Sequence, residues 1–437
     1  MSQVKAGTAA RRIWLFGHFG QTNFGNESTL EAFLRNMQER VGDVPFACIC
    51  TGPEPTSRVY GIPTVAVSRP MLTGWRPGSR IGRMVRSLLL GIPCEIVRWV
   101  EGLALLKPGD ALIVPGTGLV SDAYGLRGWG PWNLFKWTVI ARLRGCKVLF
   151  VSVGAGPLYS RLGRFLATSA LRLADFRSYR DVSSIDYLRS IGFSHGDDKV
   201  APDLAFSLPA RPVARTRRDT AKDCSSRRVV GLGVMLYAGR YSVEHPVEGT
   251  VANYLDTLAT VVKWLLARNC DVRLLIGDLC DRPVVQEFRE LLKERLPGWE
   301  EGRILDDAVT SVDELLTQIA ETDLVIATRF HNVLLALLCD KPVVAISFHH
   351  KVASLMKATG LSDYCLEIEG LDAITLETKV REAEENMHFL KAMIRAQAER
   401  WRTELDAQYD AIMNTIGLHP GNTAGTPADA LATAGSH

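Results

Sequence analysis

The chain lacks several features that would place it in large protein classes. No stretch approaches the roughly 20 consecutive apolar residues that a membrane-spanning helix needs. The net charge is only +3 over 437 residues, too small to argue for a nucleic-acid partner. The nine cysteines are scattered, with no CxxC pair and no Cys/His ligand spacing, so reduced, buried thiols in a cytoplasmic protein are expected. Cys48 and Cys50 stand two apart in a strand and point the same way, into packing. The apolar run near the start, Ile13 to Phe16, is too short for the core of a secretory signal. There is no GxGxxG fingerprint, because the first loop places its glycines at Gly17, Gly20 and Gly25. No DxD metal motif occurs.

What remains is an ordinary folded composition, 47% apolar and 23% charged, in a chain long enough for two domains. Strand-like and helix-like signals alternate in both halves, which implies parallel sheets built from βαβ units. Strands are expected at Ile13 to Gly17, Phe46 to Cys50, Ala111 to Val114, Val148 to Val153 and Phe176 to Arg180. A helix is expected from Glu27 to about Arg40, TGPEP reads as a loop, and Ala201 to Leu208 reads as a short extended piece. A polar, basic stretch, 209–228, has no apolar period and reads as a linker. The pattern restarts at Val229 and ends in a long charged helical run from about Ala373 to Met413. The expected organisation is a flexible N-terminus (1–12), a Rossmann-like domain (13–208), the linker, a second Rossmann-like domain with a long terminal helix (229–416), and a disordered tail (417–437).

The most informative stretch is Thr322 to Val352. An apolar strand runs into Arg329 and His331, and an apolar helix and a second strand follow. In open parallel sheets, ligands bind where strands end and helices begin, and a helix N-terminus attracts anions. Two residues apart in an extended segment, Arg329 and His331 are expected to point to one side. Arg offers a planar fork for phosphate or carboxylate. His, with an unperturbed pKa of ~6.5, gives or takes a proton near neutrality. The nearby Arg lowers that pKa and a bound phosphate restores it. His349, His350 and Lys351 follow the next strand and face the same end of the sheet, which strengthens the anion reading. A metal at His349-His350 is not expected, since adjacent side chains in an extended loop diverge.

Other candidates come from loops. In the first loop, glycines let backbone approach a ligand, and Asn23 or Asn26 can cap the following helix. Gly116-Thr117-Gly118 and Gly154-Ala155-Gly156-Pro157 follow strands, and Asp122 and Tyr124 can bind sugar hydroxyls, although a cap is the commoner use of such an Asp. Arg180-Asp181 reads as an ion pair or a cap. The segment 69–107 carries seven basic residues among apolar ones and reads either as a solvated helix pair or as a surface for an anionic membrane.

Taken in order, Gly17…Asn23-Phe24-Gly25-Asn26-Glu27-Ser28, Gly116-Thr117-Gly118-Leu119…Asp122, Gly154-Ala155-Gly156-Pro157, Arg180-Asp181…Ser184…Leu188…Gly192 and Arg329-Phe330-His331 make the chain resemble the polysaccharide pyruvyl transferase family, from Ile13 to about Leu361. The resemblance implies two Rossmann-like domains with a central cleft, similar to the two-domain (GT-B-like) glycosyltransferase architecture. It implies transfer of the enolpyruvyl group of phosphoenolpyruvate onto a sugar of an exopolysaccharide or cell-surface polysaccharide precursor, leaving a pyruvate ketal. On that reading His331 is the acid and Arg329 binds the donor, with His349, His350, Lys351 and Arg240 around it. Asn23, Gly25, Asn26, Glu27, Gly116, Thr117, Gly118 and Asp122 hold the acceptor. No cofactor or metal is called for beyond phosphoenolpyruvate as substrate. The acceptor would be lipid-linked or polymeric, met at the inner face of the plasma membrane through 69–107. Two positions depart from the family. Asn26 stands where an Asp is usual, and Gly233-Val234-Met235-Leu236-Tyr237 lacks an Arg that many relatives carry there, with Arg240 close behind. A nucleotide-sugar-dependent glycosyltransferase and a non-catalytic family member are the alternatives.

Overall fold

The computed structural model describes residues 10–21, 23–68, 78–122, 130–209, 227–236, 250–298, 302–348 and 350–418. The first part of the chain contains β1 (Ile13–Gly17), α1 (Phe24–Val41), β2 (Phe46–Cys50), α2 (Pro53–Tyr60), β3 (Thr64–Ala66), α3 (Arg80–Arg86), α4 (Ile92–Leu105), β4 (Ala111–Pro115), α5 (Pro131–Leu143), β5 (Lys147–Val153), α6 (Arg161–Arg172), β6 (Phe176–Tyr179), α7 (Val182–Ser190) and β7 (Lys199–Val200). The second contains β8 (Val229–Gly233), α8 (Thr250–Ala267), β9 (Asp271–Leu275), α9 (Arg282–Arg295), β10 (Ile304–Leu305), α10 (Val312–Ala320), β11 (Leu324–Ala327), α11 (Phe330–Leu338), β12 (Val343–Ser347), α12 (His350–Ala358), β13 (Cys365–Glu367), α13 (Ala373–Glu385) and α14 (Met387–Ile416).

Both sheets are parallel. Their orders are β3-β2-β1-β4-β5-β6-β7 and β10-β9-β8-β11-β12-β13. Burial on both faces explains why the central strands read as continuous apolar runs. Alternate residues go to opposite sides: Ile13 and Leu15 of β1 join one core, Trp14 and Phe16 the other. Each sheet reverses its strand order once, between β1 and β4 and between β8 and β11. These are the switch points where a ligand crevice forms. The carboxyl ends of the two sheets face each other: Phe24 N, just after β1, donates to Gly277 O, just after β9, at 3.2 Å.

Three local expectations need correction. TGPEP is not a loop throughout: its Pro53 starts a helix, α2, in whose first turn a missing N–H costs nothing. Residues 201–208 are not extended but carry a 3-10 turn, Leu204–Ser207, capped by Asp203. The long terminal run is two helices broken at Asn386, and α14 packs on α11 of the second domain and also reaches β5 and the 204–207 turn of the first. Trp401 packs on Phe206 at 4.3 Å between ring centroids. Gln408 Nε2 donates to Ser152 Oγ at 2.9 Å, the Tyr409 hydroxyl meets Ser207 Oγ at 3.0 Å, and Ala10 N donates to Ile416 O at 3.1 Å. One apolar core therefore runs from β1 through α14 into the second sheet. The proposed linker and tail fall almost wholly outside the described residues.

Candidate active site

The stretch from β11 to α11 behaves differently from an extended pair. The helix starts at Phe330, so Arg329 is its N-cap residue and His331 lies in its first turn. The two side chains leave in different directions. Arg329 turns to the wholly buried Asp281: Nε donates to Oδ2 at 2.8 Å and Nη2 to Oδ1 at 2.6 Å. Burial alone would weaken the guanidinium's charge, but the Asp281 bonds outweigh it and raise its pKa. Nη1 has no hydrogen-bond partner among the described residues, so one edge of the fork remains for a ligand.

His331 reaches across to the other domain. A Cβ built on Gly25 would lie 1.9 Å from His331 Nδ1, so the imidazole sits directly on the backbone of the first turn of α1. Only a glycine leaves room for it. Burial lowers the His331 pKa to about 4; Asp203 opposes this, and Arg180, Arg329 and Lys351 reinforce it. The positive end of α1 acts in the same sense. The unliganded imidazole is therefore neutral at pH 7. The entry of α1 is fixed by Asn23, whose Oδ1 accepts from Asn26 N at 3.1 Å while its Nδ2 donates to Asp278 Oδ2 at 2.8 Å in the opposite domain.

A second cationic centre adjoins the first. A Cβ on Gly118 would be 3.6 Å from Lys351 Nζ, so Lys351, in the first turn of α12, spans the cleft to the loop after β4. Burial pulls its pKa down to about 7; Arg180 adds to this and Asp181 opposes it. Arg180 lies almost wholly buried, 3.4 Å from Asp203 and 3.6 Å from Asp181. Its guanidinium stacks 4.7 Å from the Phe330 ring centroid, and Phe330 stands edge-on to His331 at 5.0 Å. Beside these groups a cleft of about 630 Å³ runs between the domains, lined by Arg180, Asp203, Phe330, Lys351 and Trp401 among others.

The structure thus brings together Asn23, Gly25, Gly118, Arg329, His331 and Lys351. It places other candidates elsewhere. Glu27 turns back into its own domain, accepting from Gly20 N at 2.8 Å and from the Tyr60 hydroxyl at 3.2 Å; burial raises its pKa to about 7. Asp122 is a cap, accepting from Tyr159 N, Ser160 N and Ser160 Oγ, each at 2.9 Å. Gly116 is packed so that a Cβ would meet Ser152 O at 2.8 Å, and Thr117 is buried beside it. Glu27 and Asp122 are thus engaged within the first domain, and Gly116 and Thr117 are packed into it. Asn26 is half-buried in the first turn of α1 and His350 is exposed; burial and Lys351 lower the His350 pKa. Asp181 is the cap of α7, as expected, accepting from Ser184 N at 2.6 Å. His349, Arg240 and Tyr124 lie outside the described residues.

Sequence reasoning missed Asp281, Asp278 and Asp203, and it gave Arg180 no part in the cleft. Each is an acid or base near a strand end, but nothing local distinguishes it from a cap. Asn332, fully buried next to Arg329's helix start, was also missed. Its amide makes no hydrogen bond among the described residues, and it is flanked by Gly233 and Gly277, whose Cβ atoms would meet it at 2.8 and 2.5 Å. No group of three or more His, Cys, Asp or Glu among the described residues is arranged to hold a metal ion.

The profile of the polysaccharide pyruvyl transferase family matches residues 23–350, most of the chain, including Asn23, Gly25, Gly118, Arg180, Arg329 and His331. The chain belongs to that family. Among curated protein sequences none matches it. Solved structures share its fold at low identity. HepE of Anabaena, in complex with UDP, is 14% identical with a TM-score of 0.56, covering 92% of this chain and 100% of that one. The UDP-GlcNAc 2-epimerase of Neisseria meningitidis, bound to UDP-GlcNAc, is 10% identical with a TM-score of 0.56, covering 92% and 98%. MnaA of S. aureus, with UDP, is 12% identical with a TM-score of 0.54, covering 94% and 99%. This family member thus has the GT-B-like two-domain α/β fold shared by glycosyltransferases and epimerases.

Proposed function

We propose that this family member transfers the enolpyruvyl group of phosphoenolpyruvate to a sugar of a surface or exopolysaccharide precursor. The observation that carries the reading is the seat of His331: a proton-carrying group held between two domains, with Lys351, Arg180 and the open edge of Arg329 around it. Phosphoenolpyruvate brings a phosphate and a carboxylate, which suit those three cations. Its negative charge raises the imidazole pKa, so His331 takes up a proton as the donor binds. His331 then gives that proton to the methylene carbon while a sugar hydroxyl bonds to the neighbouring carbon. The hydroxyl proton returns to the imidazole. A second hydroxyl of the same sugar attacks the same carbon, the C–O bond to phosphate breaks, and its proton leaves with the phosphate. The products are a ketal and inorganic phosphate.

The test is to incubate the full chain with phosphoenolpyruvate and extracted glycolipids. Phosphate release matched by an acceptor mass gain of about 70 Da, one pyruvate less a water, supports the reading. Activity should fall by about 10² to 10⁴ in His331→Gln. A nucleotide-sugar glycosyltransferase is the second reading, motivated by fold neighbours solved with UDP. Thermal stabilisation by UDP-sugars and not by phosphoenolpyruvate would favour it. A His331→Gln protein that still supports polymer modification in cells would instead favour a non-catalytic role, to which Asn26 in place of the family's Asp points. A lipid-linked acceptor would bring the enzyme to the inner face of the plasma membrane.

A further inference from the structure

Glu27, Asp122, Gly116 and Thr117 are taken up within the first domain, which leaves an acceptor sugar to be seated elsewhere. The cleft of about 630 Å³ offers the place. Consecutive residues at the start of α11 part company: Arg329 turns to Asp281 and Phe330 to Arg180. The cleft lies on the Phe330 side, and neither Arg329 nor Asp281 lines it. Its inner end is made by Arg180, Phe330 and Lys351, next to His331, which stands edge-on to Phe330. Its outer end is made by exposed residues of four elements: Asp186 of α7, Val200 of β7, Lys357 and Ala358 of α12, and Glu404 of α14. The cleft therefore leads from solvent to the neighbourhood of the imidazole.

The lining says what class of ligand fits. Phe206, Phe330 and Trp401 give it aromatic walls, and Val182 and Val200, 58% and 49% exposed, carry the apolar wall out to the mouth. Ser183, Ser354 and the carboxylates of Asp181 and Glu404 are spaced along it. An ionised carboxylate only accepts hydrogen bonds, so these groups suit a ligand rich in O–H donors. Apolar walls with a few convergent polar groups are the usual make-up of a small-molecule pocket, and a sugar ring matches this one with C–H faces and a rim of hydroxyls. Charge disfavours the rivals. At the mouth Asp186 pairs with Arg189 at 3.2 Å and Glu404 stands against Lys357, so no surplus of positive charge waits for a diphosphate. A long lipid chain would strip water from the acids and serines without replacing it. Phosphoenolpyruvate is far smaller than a cavity of this size, which belongs to the range for drug-sized ligands.

We propose that this cleft is a saccharide subsite for the neutral sugar next to the one that reacts, so that the acceptor is recognised through at least two units of its glycan and not through a lipid phosphate. The role of that glycan as acceptor rests on the pyruvyl-transfer reading; the binding of a glycan here does not.

The experiment is calorimetric titration of the full chain, without phosphoenolpyruvate, with oligosaccharides freed from the extracted glycolipids by mild acid, which cuts the glycosyl phosphate and leaves the lipid behind. Expected is binding that weakens at least about tenfold in Val200→Trp and in Ala358→Trp, which fill the mouth from exposed positions. Glu404→Ala, which removes one charged hydrogen-bond acceptor, should weaken it by about tenfold. All three variants should keep wild-type melting and wild-type thermal stabilisation by phosphoenolpyruvate. No binding of the freed oligosaccharides, binding undiminished in all three variants, loss of phosphoenolpyruvate binding in the two mouth variants, or displacement of the oligosaccharide by UDP would each overturn the proposal. Glycan binding that the variants weaken, with no phosphate release from phosphoenolpyruvate, would sink the transfer chemistry and leave the subsite standing.

Discussion

Gly25 and His331 make the sharpest statement at the scale of single residues. The Cβ of Gly25→Ala would occupy the imidazole's place, so His331 must swing away or the domains must part. Misplacing a catalytic group by about 1 Å costs on the order of 10² in rate. Phosphate release from phosphoenolpyruvate should fall by about that factor while the far-UV spectrum is unchanged. Glu27 gives a signed pH effect. Its folded pKa is raised to about 7 from 4.5, so between those values the folded state holds a proton the unfolded chain has lost, and stability declines as pH rises. Glu27→Gln removes that slope. The variant should gain on wild type from pH 4.5 to 7, up to roughly 3 kcal/mol, and stay level beyond. Urea unfolding at pH 4.5 and 8 reads it, and equal differences at both would refute it. Lys351, held to about 7 by burial, should set an alkaline limb near neutrality in kcat/KM for phosphoenolpyruvate. Lys351→Arg should push that limb well upward, because a guanidinium does not lose its proton there. A profile unchanged in the variant would remove Lys351 from the donor site.

Elements were largely legible from pattern. The central strands of the first sheet are apolar throughout and lie nearly to the residue where the pattern predicts them. Short edge pieces were not legible: β3 and β13 have three residues each, too few for a period to show. The α1 entry illustrates what an element contributes to the cleft. Asn23 caps it and also bonds across to Asp278. Asn23→Ala removes both, and the cap alone is worth about 1 kcal/mol. The loss measured by chemical denaturation should exceed that figure, whereas Asn23→Asp, which keeps the cap but faces Asp278 with like charge, should not restore it.

At the scale of the whole molecule, α14 joins what the sequence pattern separates. It packs on α11 of the second domain and buries Trp401, Leu405, Tyr409 and Ile412 against a core shared with the first. Ending the chain after residue 397 should expose that core. The truncated protein should aggregate or melt in separate steps, whereas the full chain should unfold as one unit; a single transition at unchanged temperature would contradict this. The chain's own pattern settled which segments are strands and helices, that both sheets are parallel, and which strand end carries Arg and His, because periodicity and turn chemistry are local. Only the tertiary structure decided that Arg329 faces Asp281 while His331 faces Gly25, that Glu27 and Asp122 serve the scaffold, and that Lys351 and Arg180 complete the cleft. Those outcomes depend on where two domains meet, and residues as far apart as Asn23 and Asp278 carry no mark of one another until the chain has brought them within a hydrogen bond.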